Sequence, residues 1–360
     1  MVDYVKAEVY GCTPIDWTNS SHLEFKGSHS TRTGLVDHKQ TANYFNLKFT
    51  IYDSGRMYIA GSLHKYFNFL QNISAPNQHN KKQREKGFNG NQFSYTQLSF
   101  VLNDLRSKFK IDLNQSILRN IEFGLNISHH FDTEKILENL MLHKGKEFNK
   151  PLSVSFREAT HSQHWVKCYN KSLQYGMKDN LLRFEMKYKK MKQINDLGII
   201  YLNDLKNRNS LNKAKNELLK RWNEILFYDY TIAENQLNDN EQLLIMKYNN
   251  PIFWKGIKSN HLDRPKKKYY ELEGKYSEQL KEKIHHLINQ NWETLNKRCV
   301  TFDRLFKEES NNCVIIDHST IGSTLTHQTI RDNQYNLNTL NNIKITLWHS
   351  IQKQQKKLVK

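Results

Sequence analysis

Residues 181–188 read Leu-Leu-Arg-Phe-Glu-Met-Lys-Tyr, in which Leu182, Phe184 and Met186 alternate with Arg183, Glu185 and Lys187. Successive side chains of an extended chain point to opposite sides, so this alternation predicts a strand with one buried and one polar face. Residues 121–128, Ile-Glu-Phe-Gly-Leu-Asn-Ile-Ser, repeat the pattern, with Ile121, Phe123, Leu125 and Ile127 opposite Glu122, Gly124 and Asn126. In residues 165–171, Trp-Val-Lys-Cys-Tyr-Asn-Lys, the residues Lys167, Tyr169 and Lys171 fall on one face of an extended chain. Further strands are expected at 2–10, 47–52 and 57–63, the last two separated by Asp53-Ser54-Gly55, a hairpin-turn composition. The fold expected is α+β: an antiparallel sheet with helices on one face over residues 1–205, followed by a mainly helical region.

Helical spacing of Leu98, Val101, Leu102 and Leu105 predicts a helix over 94–109, and a second is expected at 132–143, capped by Asp132 or Thr133. Residues 77–91, rich in Asn, Gln and Lys, read as an exposed loop. From residue 206 the pattern becomes helical. Leu211, Leu218, Leu219, Trp222, Ile225 and Leu226 form one apolar stripe, and Leu280, Ile284, Leu287, Ile288 and Leu295 another. This shift defines a second expected domain, 206–360, broken by turn-like Asn249-Asn250-Pro251 and Arg264-Pro265 and ending in a basic tail at 352–360.

Composition narrows the partners. The chain carries 54 Lys and Arg against 36 Asp and Glu, a formal net charge of +18. Clusters at 187–192, 266–268 and 353–360 favour a polyanion, because neutralising phosphates releases condensed counterions. The plain alternative is a generally basic surface. Cys12, Cys168, Cys299 and Cys313 form no CxxC pair, which argues for a reducing compartment and against a disulfide framework. No apolar stretch is long enough to span a bilayer and the first residues lack a signal-peptide core, so a cytoplasmic protein without membrane contact is expected.

If the three polar strand faces adjoin, Glu122 and Glu185 would hold a divalent ion, and hard carboxylate oxygens suit Mg²⁺ or Mn²⁺. His64 is the expected nitrogen ligand, and Gly124 would let the ion or a phosphate approach the sheet. Tyr169 is the candidate nucleophile toward a phosphodiester, with Lys171 lowering its pKa or neutralising the phosphate. Lys65, Arg183, Lys187, Lys189 and Lys190 are the candidate DNA-binding cations. Against this stands the plainer alternative that Glu122 and Glu185 are solvent-facing or paired with Arg183 and Lys187. His161 and His164, in Thr-His-Ser-Gln-His-Trp, are expected in an exposed loop.

At these residues the chain resembles rolling-circle replication initiators, specifically the family that includes the gene II protein of filamentous phages and related plasmid and phage replication initiation factors. The resemblance covers about residues 40–205. It rests on Gly-Ser-Leu-His-Lys-Tyr at 61–66, residues 89–93, Asn-Ile-Glu-Phe-Gly-Leu-Asn at 120–126, Tyr169-Asn170-Lys171 and Leu182-Arg183-Phe184-Glu185. It implies a metal-dependent endonuclease that nicks its origin, keeps the 5′ end on a tyrosine and later rejoins the strand. The implied partners are single-stranded or supercoiled origin DNA, with a host helicase and polymerase. By the resemblance Tyr169 is the nucleophile, Glu122 and Glu185 are metal or structural carboxylates, and Lys171 is the basic partner. Two departures stand out: the chain has no His-hydrophobic-His triplet, and Tyr169-x-Lys171 reads as strand where the wider superfamily has a helical Tyr-x-x-Lys. Tyr188 and Tyr201 therefore remain rival nucleophiles. A non-catalytic DNA-binding protein on the same fold and a relaxase-like mobilisation protein are the alternative functions.

Overall fold

The alternating stretches form strands at the expected places. A computed structural model describes residues 1–29, 36–149 and 155–297; the basic tail, Cys299 and Cys313 lie outside the described residues. In chain order the strands are β1 (Val2–Val9), β2 (Lys26–His29), β3 (Val36–Tyr44), β4 (Leu47–Tyr52), β5 (Met57–Ser62), β6 (Ile117–Ser128), β7 (Leu140–His143), β8 (Lys146–Glu147), β9 (Phe156–Thr160), β10 (His164–Asn170), β11 (Leu181–Tyr188) and β12 (Ile225–Phe227). Nine of them build one antiparallel sheet in the order β2-β3-β4-β5-β1-β6-β11-β10-β9, and β12-β7-β8 form a small second sheet. With twelve α-helices among the described residues, the fold is α+β.

One face of the large sheet is apolar. Val5, Phe49, Ile59, Phe123, Leu125, Val166, Phe184 and Met186 are buried there together with Leu98, Leu102, Leu218, Trp222, Ile288 and Trp292 from the helices Tyr95–Phe109, Arg208–Asn223 and Leu280–Asn296. Each such side chain contributes roughly 1.5–3 kcal/mol on burial. Ser94 caps the Tyr95–Phe109 helix in a capping box with Gln97, which fixes its start.

Several expectations fail for physical reasons. The boundary at 205/206 does not divide the described residues: the helices after it complete the core of the sheet before it, and both sides of the boundary belong to one compact unit. The helix expected over 132–143 is only Thr133–Glu138; Leu140, Met141 and Leu142 are buried on both sides as strand β7. A short apolar run of this kind is ambiguous between helix and buried strand. Ile225 and Leu226 likewise leave the helical stripe and pair with β7. Asn250 and Pro251 start a helix, as cap and first residue, and Pro265 sits in the first turn of the Asp263–Tyr276 helix, where its missing N–H costs nothing. The 77–91 segment buries Asn89. Among the described residues no helix is long and apolar enough to cross a membrane.

Gly124 has a different task from the one expected. A Cβ there would lie 2.2 Å from the Phe184 carbonyl oxygen and 2.6 Å from Glu185 Cα, so the missing side chain admits the backbone of β11. Gly124→Ala should therefore destabilise the fold by about 1–3 kcal/mol, as overpacking does. A denaturation midpoint unchanged from wild type would contradict this close approach.

Candidate active site

Register places the charges. Lys187 faces Glu122, Glu185 faces Gly124 and Arg183 faces Asn126 across β11 and β6; Lys167 faces Glu185 and Tyr169 faces Arg183 across β10 and β11. The three polar faces expected from alternation thus do adjoin, on the side of the sheet away from the apolar core. They border an open cleft of about 630 Å³ whose lining includes Ser62, Lys65, Lys167, Tyr169, Lys171 and Glu185.

The carboxylates are already held. Lys167 Nζ lies 3.0 Å from Glu122 and 3.3 Å from Glu185, Lys187 Nζ is 2.6 Å from Glu122, and Arg183 Nε is 2.9 Å from Glu185. Arg183 also reaches Asp3 at 3.3 Å and donates to Asn126 Oδ1 at 3.1 Å. Burial works against the Glu185 carboxylate, but Lys167 and Arg183 outweigh it and hold its pKa below the usual range. Asp3 is held low in the same way, against burial, by Arg183, His64 and Lys171. Burial also works against the Lys167 ammonium, and Glu185 and Glu122 reverse the effect, keeping its pKa raised.

This geometry corrects the expected metal site. The space between Glu122 and Glu185 is filled by the Lys167 ammonium, which takes the place a dication would occupy. His64 is buried, stacked on Phe93 and 2.7 Å from Asn91 Oδ1; burial above all depresses its pKa to about 3. Among the described residues Glu122, Glu185 and His64 do not form a ligand set for a shared ion. The residues as arranged do not fit Mg²⁺ or Mn²⁺.

Tyr169 is half-buried near the end of β10, its ring tilted against Phe156 at 5.2 Å between centroids. Burial first and Glu185 second push its phenol well above the ordinary value. Among the described residues its hydroxyl has no protein hydrogen-bond partner. Lys171 does not follow it on the strand. Asn170 caps the Lys171–Tyr175 helix, and this first turn folds Lys171 Nζ back over the Tyr169 ring at 4.9 Å and the Tyr175 ring at 5.0 Å. The amine donates to Asn89 Oδ1 at 2.7 Å, and Asn89 in turn donates to Asp3 at 2.6 Å. Burial, then Arg183, lowers the Lys171 pKa to about 7.

The other expected residues divide. Lys65 lines the cleft, its amide capped by Ser62 Oγ and its Nζ donating to the Lys86 carbonyl at 2.9 Å. Arg183 is buried in the network and unavailable to DNA. Lys187 is committed to Glu122, while Lys189 and Lys190 are exposed, Lys189 lying 3.7 Å over the Trp165 ring. Tyr188 is fully buried on the apolar face with its hydroxyl on Glu217 at 3.2 Å, and Tyr201 bridges to Ile117 outside the cleft. Sequence reasoning did not find Asp3, which a register shift in β1 beside Tyr4 brings into the network, nor the part of Lys167 as the bridge between Glu122 and Glu185. Alternation already put Lys167 on the right face; only the strand pairing reveals its two partners.

No family model, curated protein or solved structure matches the chain.

Removing one member of a buried ion pair leaves an uncompensated charge, so Glu185→Gln should cost about 3–5 kcal/mol. The depressed Glu185 and Asp3 carboxylates contribute stability above their unfolded pKa values of about 4, and it is lost as pH falls through the lower folded values. Urea unfolding from pH 7 downward should show this loss in wild type and a flatter profile in Glu185→Gln. Parallel profiles would mean that the pair contributes nothing to folding.

Proposed function

We propose that the chain is a rolling-circle DNA replication initiator that cuts and rejoins a DNA strand through Tyr169. The observation that supports this most is a phenol at the cleft, without a protein hydrogen-bond partner among the described residues, covered by a lysine whose amine is half deprotonated near neutral pH. A nucleophile with a raised pKa needs an adjacent base, and a lysine tuned to about 7 is matched to that task at physiological pH.

In this reading a single-stranded segment lies along the cleft, drawn by the net charge of +18 and by the exposed Lys189 and Lys190. Lys65 and Lys167 line the cleft and would balance the negative charge of the scissile phosphate. Tyr169 Oη attacks phosphorus as Lys171 takes the phenolic proton. The Oη–P bond forms while the P–O3′ bond breaks, and the departing 3′ oxygen takes a proton from water. The products are a 5′-phosphotyrosyl chain and a free 3′-OH, and attack by a 3′-OH in reverse restores the strand. No step is routed through Mg²⁺ or Mn²⁺, because Lys167 occupies the gap between the carboxylates. A relaxase-like mobilisation protein would use the same chemistry on other DNA.

A second reading has its own support. Glu122 and Glu185 bound by lysines and arginine suit a DNA-binding platform without catalysis. Incubation of the full chain with single-stranded and supercoiled DNA of its own replicon, with and without divalent ions, separates the two on a denaturing gel. The expected result is a covalent protein–DNA band that maps to Tyr169 and disappears in Tyr169→Phe. Tight binding with no covalent band under any condition would transfer the assignment to the platform.

The tuned lysine gives a further expectation. The cleavage rate should rise with pH through about 7 and then level off, as the Lys171 amine becomes neutral. Lys171→Met should lower the rate by roughly 10²–10⁴-fold, the usual contribution of a positioned base, and remove that inflection. An inflection near 7 that survives in Lys171→Met would assign the base elsewhere.

A further inference from the structure

Away from the cleft, the β9–β10 hairpin and β7 bring three histidines together. His161 lies in the turn, its amide donating to the His164 carbonyl at 2.9 Å, and His164 opens β10. His143 closes β7 and pairs with Ile225 of β12. The three rings lie 4.8, 4.9 and 6.1 Å apart between centroids, and one nitrogen from each falls within 4.8 Å of the others. Among the described residues no other group of His, Cys, Asp or Glu side chains does this.

The protonation chemistry suits ligands. Burial foremost lowers His143 to about 3 and His164 to about 4, and it lowers His161 as well. Neutral imidazole is the form that coordinates. His164 is buried, 6% exposed, yet neither ring nitrogen has a hydrogen-bond partner. Buried polar atoms are nearly always paired, so this vacancy points to something the side chain is built to bind. His143 is oriented as ligating histidines are. Its Nδ1 shares a 2.7 Å hydrogen bond with His161 Nε2, while its Nε2 lies 3.3 Å from Glu224 Oε2, in poor hydrogen-bond alignment. A carboxylate behind the ring favours the proton on Nε2, so the Nδ1 lone pair accepts from His161 Nε2–H and would turn to a metal that displaces that proton. Glu224 is itself held by Lys144 at 2.9 Å and Arg221 at 2.9 Å, and Arg221 also pairs with Glu217.

We propose that His143, His161 and His164 form a zinc site, with water in the fourth position. Three imidazoles are a borderline-soft set that Zn²⁺ accepts in tetrahedral geometry, which asks for nitrogens about 3.3 Å apart at Zn–N distances near 2.0–2.1 Å. Coordination would replace the 2.7 Å His143–His161 hydrogen bond with a slightly wider spacing, and His161, half-buried in the turn, is the ring placed to move. The ion would pin the β9–β10 hairpin to the small sheet. It would lie five residues along β10 from Tyr169, about 17 Å at ~3.4 Å per residue, and on the opposite face. Its task is therefore to fix the strand that carries Tyr169 and Lys167, and it stands or falls independently of the strand-cutting reading.

The test uses the untagged full chain, stripped with chelator, loaded with Zn²⁺ alone and passed through gel filtration before metal analysis. Wild type should retain about one Zn²⁺ per chain. His161→Ala, in the turn and so least liable to disturb the core, and His164→Asn should each weaken binding by more than the roughly 10–100-fold cost of losing an outer-sphere partner. Glu122→Gln should retain the ion. Cobalt substitution supplies a second readout, because the visible spectrum of a tetrahedral nitrogen site should vanish in His161→Ala. Failure of wild type to retain zinc, or retention by both histidine variants, would overturn the site. Loss in Glu122→Gln with retention in His161→Ala would place the ion at the carboxylates and overturn it equally.

Discussion

A buried chain of alternating charges, Lys187–Glu122–Lys167–Glu185–Arg183–Asp3, runs across four neighbouring strands, and the rest of the site depends on it. Such a chain is tolerable away from water only when each member has its partner within reach. Partnership here is a matter of register: a slip of one residue between β6 and β11 would send Glu185 into the apolar core and Phe184 into the cleft. The same pairs that fix the register also occupy both carboxylates. That is why the cleft presents a phenol and amines where the sequence suggested a pair of free acids.

The network divides the lysines into two kinds. Lys167 is kept firmly charged by two carboxylates, whereas Lys171, which donates to the Asn89 amide oxygen, is pushed toward neutrality by burial and Arg183. Three residues, the last of them a helical cap, separate a structural cation from a titrating one. Asn170 makes the difference, because ending the strand there turns Lys171 over the aromatic rings instead of out along the sheet.

Much of the architecture was legible because period-two alternation separates an apolar from a polar face directly, even where both faces are buried. Residues 181–188 and 121–128 carry unbroken alternation, and both are strands whose apolar and polar faces lie as read. Legibility fails where both faces are apolar or where the contact is long-range. Leu140–His143 is buried on every side and has no face to reveal, so it looks like a continuation of the helix before it. Lys171 appears as a strand residue until the Asn170 cap is seen. Asp3 and the histidine cluster are assembled from segments far apart in the chain, and nothing local distinguishes His143 from any other strand-end histidine. The position of Glu122 and Glu185 on a shared polar face could be read from sequence; their engagement by Lys167 could not, since it depends on which strands are neighbours.

The sheet order carries a kinetic consequence. β1 lies between β5 and β6, and β6 borders β11, so Asp3 meets Arg183 across a sequence separation of 180 residues. Closure of so long a loop comes late, after the local hairpins have formed. Until β11 arrives, β6 is an open edge whose ladder groups are unpaired and whose Glu122 lacks both of its lysines. In that interval the strand is a template for another copy of the same segment. The Glu122 carboxylate, later held by Lys167 and Lys187, then acts as a guard, since an unpaired carboxylate on an exposed edge discourages a second chain from docking there.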